Sequence, residues 1–417
     1  MTGALGTGGP GALDQIALDR YQNSVMGTFG VPQRLIERGE GSYVWDADGN
    51  RYLDLLGGIA VTAVGHGHPA WVAAIAAQAG KLAQASNFFA TEPQVALAER
   101  LLQVSDAPLG SRVFLTNSGT EAMEAIFKMA RKTGHRRIIA LEGSFHGRSM
   151  GALAMTGKEA IRVPFEPLPA GVEFVPRNDV AALRAAAAAG DLAAIVLEPI
   201  LGESGVYSLS HEYLTVAREL ATEHGALLAF DEVQTGIART GAWFAHQLHG
   251  VVPDAMALAK GLGGGVPIGA VVAFGPWAST LLVKGEHGST FGGNALATAA
   301  ALATLNIIED EGLIANVKGV GEHTRNALTA LPFVTEVRGE GLMLGAALGA
   351  AVATEVAAAA LEAGFIVNAP NADTLRIVPA LNITTEQMDT FIAWLAEAVP
   401  AIIAAQEKPA TASGGVA

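Results

Sequence analysis

The 417-residue chain contains no cysteine. That excludes disulfides, thiolate nucleophiles and cysteine-ligated zinc, and it leaves the redox compartment unmarked by sulfur chemistry. A Lys/Arg-rich run is also missing: 26 basic residues stand against 40 acidic ones, for a formal net charge of −14. A field of that sign repels a phosphate backbone, so nucleic acid is not an expected partner, and an anionic substrate needs specific local arginines. Residues 1–10 carry neither the basic nor the apolar region of a secretory signal, and no uncharged stretch has the length and helical continuity of a membrane span. The expected location is therefore the cytoplasm, with no membrane partner. There is no Walker A lysine, no HExxH and no proper GxGxxG, so neither nucleotide nor metal is expected.

What is present reads as a folded enzyme. Half of the residues are hydrophobic and 16% are charged, which suits a globular core, and the length exceeds what one core usually serves. Between about residues 70 and 310, short apolar runs at 113–116, 138–141, 193–197, 226–230 and 270–274 alternate with helical stretches such as 121–131 and 211–224. That alternation predicts an α/β fold, a mostly parallel sheet with helices on both faces. Residues 13–69 and 311–404 are assigned to a smaller α+β domain drawn from both ends of the chain, and 70–310 to the large domain. Within the former, Tyr43 to Asp54 alternates around the Asp48-Gly49 turn of a hairpin, and 374–378 is strand-like. Asp46, Asp48 and Asn50 have part of an EF-hand spacing, but Arg51 follows where that loop needs glycine, so turn chemistry is the better reading. The termini, 1–12 and 405–417, have the composition of frayed ends.

The chemistry gathers where strands stop. Asp231 ends the apolar run 225–230, the carboxyl end at which open α/β sheets build their sites. Lys260 stands alone between the apolar run 256–259 and the glycine-rich Gly261-Leu262-Gly263-Gly264-Gly265. A buried lysine amine can lose its proton and attack a carbonyl, while a carboxylate opposite can pair with a protonated pyridine nitrogen. The pair therefore points to pyridoxal phosphate. Val113-Phe114-Leu115-Thr116-Asn117-Ser118-Gly119-Thr120 reads as a strand, a small polar turn and a helix start. Free amides and hydroxyls there can hold a phosphate, although an ordinary helix cap has the same look. Phe145-His146-Gly147-Arg148 offers a ring to stack on a pyridine and a guanidinium to grip a carboxylate. A competing pattern overlaps it: Gly147-Arg148-Ser149-Met150-Gly151 fits G-x-S-x-G, and a serine hydrolase on Ser149 is the alternative from another reaction class. A loop separates Ser149 from its strand, whereas a nucleophile elbow follows its strand directly.

Taken together, Asn117 to Ala122, Phe145 to Arg148, Glu198-Pro199-Ile200-Leu201-Gly202-Glu203, Asp231-Glu232-Val233-Gln234-Thr235-Gly236, Ala259-Lys260-Gly261 and Ser289-Thr290-Phe291-Gly292-Gly293-Asn294 occur in an order and spacing that resembles the class III pyridoxal-phosphate aminotransferases. The resemblance spans about residues 20 to 400. Stretches 53–61 and 262–270 carry it toward the branch acting on N2-acetyl-L-ornithine. It implies a fold type I homodimer with a seven-stranded large-domain sheet and active sites shared between subunits. It further implies Lys260 as the cofactor-bonding lysine and proton shuttle, Asp231 at the pyridine nitrogen, Gln234 at the ring hydroxyl and Phe145 stacked on the ring. Ser118, Gly119 and Thr120 would hold the phosphate, with Thr290 reaching it from the neighbouring subunit. Arg148 would grip the substrate α-carboxylate, Ser289 would touch the donor, and Arg376 with Glu203 would help accommodate 2-oxoglutarate. The implied reaction moves the terminal amino group of N2-acetyl-L-ornithine to 2-oxoglutarate, within arginine biosynthesis. Phe29, Phe88 and Phe89 stand where the family tends to carry phenols, so ornithine, 4-aminobutyrate and succinyldiaminopimelate stay open as donors.

Overall fold

A computed structural model describes residues 11–407. Its largest sheet has seven strands in the order Arg112–Thr116, Gly269–Ala273, Ala255–Leu258, Leu227–Asp231, Leu192–Leu197, Arg137–Leu141, Val172–Val175. All neighbours are parallel except at Gly269–Ala273, which is antiparallel to both strands beside it. The mostly parallel sheet is as the alternation predicts. What that pattern does not predict is the reversal at Gly269–Ala273, or the edge strand Val172–Val175.

Strand residues divide between the two faces with period two. Leu227 and Ala229 pack with Ala122, Met123 and Ile126 of the helix Gly119–Arg131. Leu228 and Phe230 pack on the other face with Leu183, Tyr213 and Ala217 from the helices Val180–Ala188 and His211–Glu223. Each such large side chain, fully buried, contributes about 1.5–3 kcal/mol. The small residues Ala229, Ala255 and Ala257 let the Gly119–Arg131 helix sit close to the sheet, which fixes where its amino terminus points.

Both ends of the chain build two further sheets. Ile36–Glu40, Tyr43–Asp46 and Arg51–Asp54 form an antiparallel meander, and Phe365–Ile366 adds in parallel to the last of them. The predicted hairpin is present. Asp46 Oδ1 accepts from the amides of Asp48 (3.1 Å) and Asn50 (2.8 Å), and Tyr52 donates its hydroxyl to Asp46 Oδ2 at 2.6 Å, so these groups are spent on the turn. A second antiparallel sheet joins Glu336–Glu340, Met343–Ala347 and Thr374–Ile377, the strand that carries Arg376.

The last helix, Thr385–Glu407, is long and apolar enough by composition to cross a membrane. Met388, Phe391, Ile392, Leu395 and Val399 recur on one face at helical spacing and lie in the main hydrophobic core, so that face packs against protein. The expectation of frayed ends at 1–12 and 405–417 falls largely outside the described residues. Within them, Ala12 already begins a helix and 405–407 continue the last one.

Candidate active site

Six of the seven strands run in one direction, so Thr116, Leu141, Leu197, Asp231 and Leu258 finish along one edge of the sheet, and the reversed strand starts there at Gly269. A cavity of about 430 Å³ opens over that edge. Asn117, Ser118, Gly119, Thr120, Phe145, Arg148, Glu203, Asp231, Gln234 and Lys260 all line it. Segments far apart in sequence thus converge because each follows its strand's carboxyl end.

One end of the cavity suits an anion. Ser118 is the N-cap of the Gly119–Arg131 helix and its hydroxyl accepts from the Glu121 amide at 3.3 Å. The amides of Gly119 and Thr120 come first in the helix and have no carbonyl one turn ahead of them. Thr120's hydroxyl is engaged with Ser149 Oγ at 2.6 Å, so its backbone rather than its side chain is the free donor. Neighbouring side chains lie too close to the backbone here for larger residues. A Cβ on Gly119 would lie 2.9 Å from Val233 Cγ1, and one on Gly147, whose φ is +133°, would lie 2.3 Å from Thr120 Oγ1. Gly147→Ala is therefore expected to cost about 1–3 kcal/mol and to weaken phosphate binding, because relief of the clash displaces Thr120. Thermal unfolding and phosphate titration of the variant check this; unchanged values in both would contradict the cradle.

The other end holds charge. Asp231, 5% exposed, accepts from the Val233 amide at 3.0 Å and meets His146 Nδ1 at 2.8 Å. Burial opposes a charged imidazole at His146, but Asp231, aided by Glu198, holds its pKa above the usual histidine value. Gln234 Oε1 and His146 Nε2 are buried without a hydrogen-bond partner, two polar atoms that call for one. Gly202 lies so close that a Cβ would come within 2.1 Å of Gln234 Oε1.

Lys260 opens a short 3₁₀ turn, Lys260–Gly263, with φ of +42°, a left-handed value that non-glycine residues avoid. Its amine makes no hydrogen bond or ion pair among the described residues. Burial is the main cause that lowers its pKa, with Arg376 adding to the effect, while Glu203, Asp231 and Glu198 oppose it. A strained backbone that presents an unpaired amine of reduced basicity favours nucleophilic and proton-transfer chemistry.

Glu203 and Arg376 meet at 2.5 Å, with Arg376 also donating to Gly202 O at 3.2 Å and Asn368 Oδ1 at 3.1 Å. Burial alone would raise the Glu203 carboxyl, but Arg376, Lys260 and Lys158 hold it below its ordinary value. Arg148 is exposed at the mouth, its guanidinium carbon 5.5 Å from the centroid of the Phe145 ring. Ser289 is outside the lining, yet its hydroxyl accepts from Asn117 Nδ2 at 2.8 Å. Thr290, Phe29, Phe88 and Phe89 are exposed and do not line this chain's cavity. Ser149, the centre of the hydrolase-like pattern, is half-buried and precedes the helix Met150–Met155 with its hydroxyl bonded to Thr120.

Two titratable lining residues had no role assigned from sequence: His146, which supports Asp231, and Glu198, which follows the strand Leu192–Leu197. The signal for Glu198 was the same as for Asp231, an acid ending a buried apolar run.

Residues 28–399 match the family described as Aminotransferase class-III. The acetylornithine aminotransferase of Mycobacterium leprae is 49% identical, over 94% of this chain and 97% of that protein. That of Streptomyces coelicolor is 50% identical, over 90% and 93%. Among solved structures, ornithine aminotransferase from Toxoplasma gondii superposes with a TM-score of 0.87 at 30% identity, over 95% and 96% of the two chains. N-acetylornithine aminotransferase from Stenotrophomonas maltophilia does so with 0.79 at 39%, over 91% and 99%.

Proposed function

The chain belongs to the class III aminotransferases, and on that premise we propose that it moves the terminal amino group of N2-acetyl-L-ornithine to 2-oxoglutarate, giving N-acetyl-L-glutamate 5-semialdehyde and L-glutamate in arginine biosynthesis. The carrying observation is the unpaired Lys260 amine of lowered basicity in the same cavity as the Asp231–His146 pair. The donor is favoured by the two acetylornithine aminotransferases that are 49% and 50% identical.

Pyridoxal 5'-phosphate is the cofactor, and it supplies a carbonyl for an amine to condense with and an electron-withdrawing ring. The residues present fit it. The free Gly119 and Thr120 amides beside Ser118 suit its phosphate, the unpartnered Gln234 Oε1 suits its ring hydroxyl, and the Phe145 ring suits its face. Asp231 would face the ring nitrogen, with His146 keeping the carboxylate oriented. Lys260 would hold the cofactor through its amine, and the same amine, once freed by the donor, would be placed to take a proton from the donor's reacting carbon and return it. Arg148, free at the mouth, would take the donor's α-carboxylate through its planar fork.

Two differently shaped substrates must share the cavity. Glu203 occupies Arg376 when the donor is bound. A second carboxylate on 2-oxoglutarate would take that place, and Arg376 is already positioned by Gly202 O and Asn368. We read 70–310 as the cofactor-holding domain and 13–69 with 311–404 as a smaller domain that brings Arg376 to it. A cytoplasmic homodimer with shared sites belongs to the same reading. Support comes from Thr290, Phe291, Phe29 and Phe88, all exposed on the single chain, beside a Ser289 that already touches the lining residue Asn117. On this reading Thr290 reaches the partner's phosphate site and Ser289 the donor.

The test is glutamate formation from 2-oxoglutarate with N2-acetylornithine, ornithine, 4-aminobutyrate and succinyldiaminopimelate in turn. The expected kcat/KM is at least about tenfold higher for N2-acetylornithine, a difference of about 1.4 kcal/mol in transition-state binding. A higher value for any of the other three moves the enzyme to that donor.

A further inference from the structure

Glu198 is 6% exposed, lines the cavity and has no arginine or lysine paired with it among the described residues. Its Oε1 accepts from the Phe145 amide at 2.8 Å and its Oε2 from the Gly202 amide at 3.3 Å. One carboxylate thus ties the segment bearing the aromatic wall to the segment bearing Glu203. A buried acid with two amide donors is often only a loop tie. Here the same carboxylate also faces His146, whose Nδ1 is on Asp231 and whose Nε2 is buried without a partner. Two acids and one base therefore share a largely buried corner of the cavity.

We propose that Glu198 is a positioning residue of amino transfer, one that sets the charge the His146–Asp231 pair presents to the cofactor's ring nitrogen while locking the Phe145 and Gly202 segments together. This rests on the aminotransferase reading of the site. The other charged groups facing Glu198 are His146, Asp231 and Lys260, with Glu203 and Arg376 beyond Lys260. Burial, reinforced by Asp231, pushes the Glu198 carboxyl up to about 7 against the opposing pull of His146 and the two amides. The His146 pKa is raised as well, which for an imidazole means staying charged beside Asp231. Near neutrality the cluster therefore alternates between two states. With Glu198 ionised the three groups sum to one negative charge; with Glu198 protonated they sum to zero. The first state favours cationic forms of the groups around it, and the second withdraws that support.

Two substitutions separate the charge from the tie. Glu198→Gln keeps the length and loses the charge, whereas Glu198→Asp keeps the charge and shortens the reach to the amides. In the cofactor-loaded enzyme, the midpoint of the pH-dependent visible absorption is expected to fall by about half to one pH unit in Glu198→Gln, since a negative charge that stabilised a protonated form is gone. It should stay near the wild-type value in Glu198→Asp. An unmoved midpoint in Glu198→Gln overturns the proposal, and so does an equal shift in both variants, which would mean geometry alone. If the variants do not fold, nuclear magnetic resonance of the His146 imidazole in the cofactor-free wild-type protein decides. A second inflection near pH 7 from Glu198 supports the cluster, and a single-step titration overturns it. Failure to acquire visible absorption on loading the cofactor would instead count against the aminotransferase reading, and the imidazole titration would still judge Glu198.

Discussion

Replacing Lys260 with alanine is expected to lower kcat by about 10⁴-fold or more, because one change removes both the covalent attachment and the proton carrier. No neighbour can take over. Lys158, the other lysine near the site, is committed to Glu203 O at 2.6 Å, and Arg148 and Arg376 cannot be deprotonated in a protein. Cofactor retention should suffer less than turnover, since the Ser118–Thr120 cradle and Asp231 stay in place. Stability should move in the opposite sense. A lysine whose folded pKa is depressed costs stability wherever the unfolded chain holds its proton. The cost is therefore full below the lowered folded value, fades as pH rises from there, and is gone above the ordinary lysine range. The alanine variant also removes the amine from its position among Arg376 and the buried acids. Its cofactor-free form should melt at a higher temperature than the wild type at pH 7. Turnover within tenfold of wild type, or a lower melting temperature at that pH, would contradict the assignment.

The second large effect is expected at Asp231. Asparagine keeps the shape and can still accept from the Val233 amide, so the fold should hold, but the charge that supports His146 and the cofactor ring disappears. Loss of one preorganised charge at the reacting centre is expected to lower kcat by about 10²–10³-fold. The His146 imidazole should then titrate at a lower pH, because burial remains and its main ion-pair partner has gone. Steady-state kinetics and the imidazole titration are read together. A kcat drop without the imidazole shift would mean that Asp231 acts on the ring alone and that His146 is a bystander.

The two expectations depend on placements that sequence conveyed unequally. Asp231, Lys260 and Ser118-Gly119-Thr120 were legible because each stands at or just beyond the end of an apolar run, and the end of a strand in a parallel sheet is a definite place. Asp231 proved to be the last strand residue, paired with Ala257, rather than the first beyond the strand. The reversed strand Gly269–Ala273 was invisible as such, since apolar periodicity carries no direction. Its placement nevertheless matters, for Gly269 packs against Thr116 and Ser118 under the phosphate end, where a Cβ would lie 2.4 Å from Thr116 Oγ1. His146 and Glu198 were seen as motif letters without roles, because their function lies in contacts across the sheet to Asp231 and Phe145 that no local pattern encodes. Arg376 belongs to a separate sheet, and only the tertiary packing of Thr374–Ile377 near Gly202 brings it to Glu203. Thr290 and the aromatic residues Phe29 and Phe88 stay outside the cavity of their own chain.

The most direct measurement is the visible absorption of the purified, pyridoxal-phosphate-loaded protein before and after adding N2-acetylornithine with no oxoacid present. The account predicts that the visible band bleaches on adding the donor and returns when 2-oxoglutarate follows, with one equivalent of glutamate formed per site. A protein that never acquires a visible band, or a band untouched by any amino donor, would contradict amino transfer at Lys260.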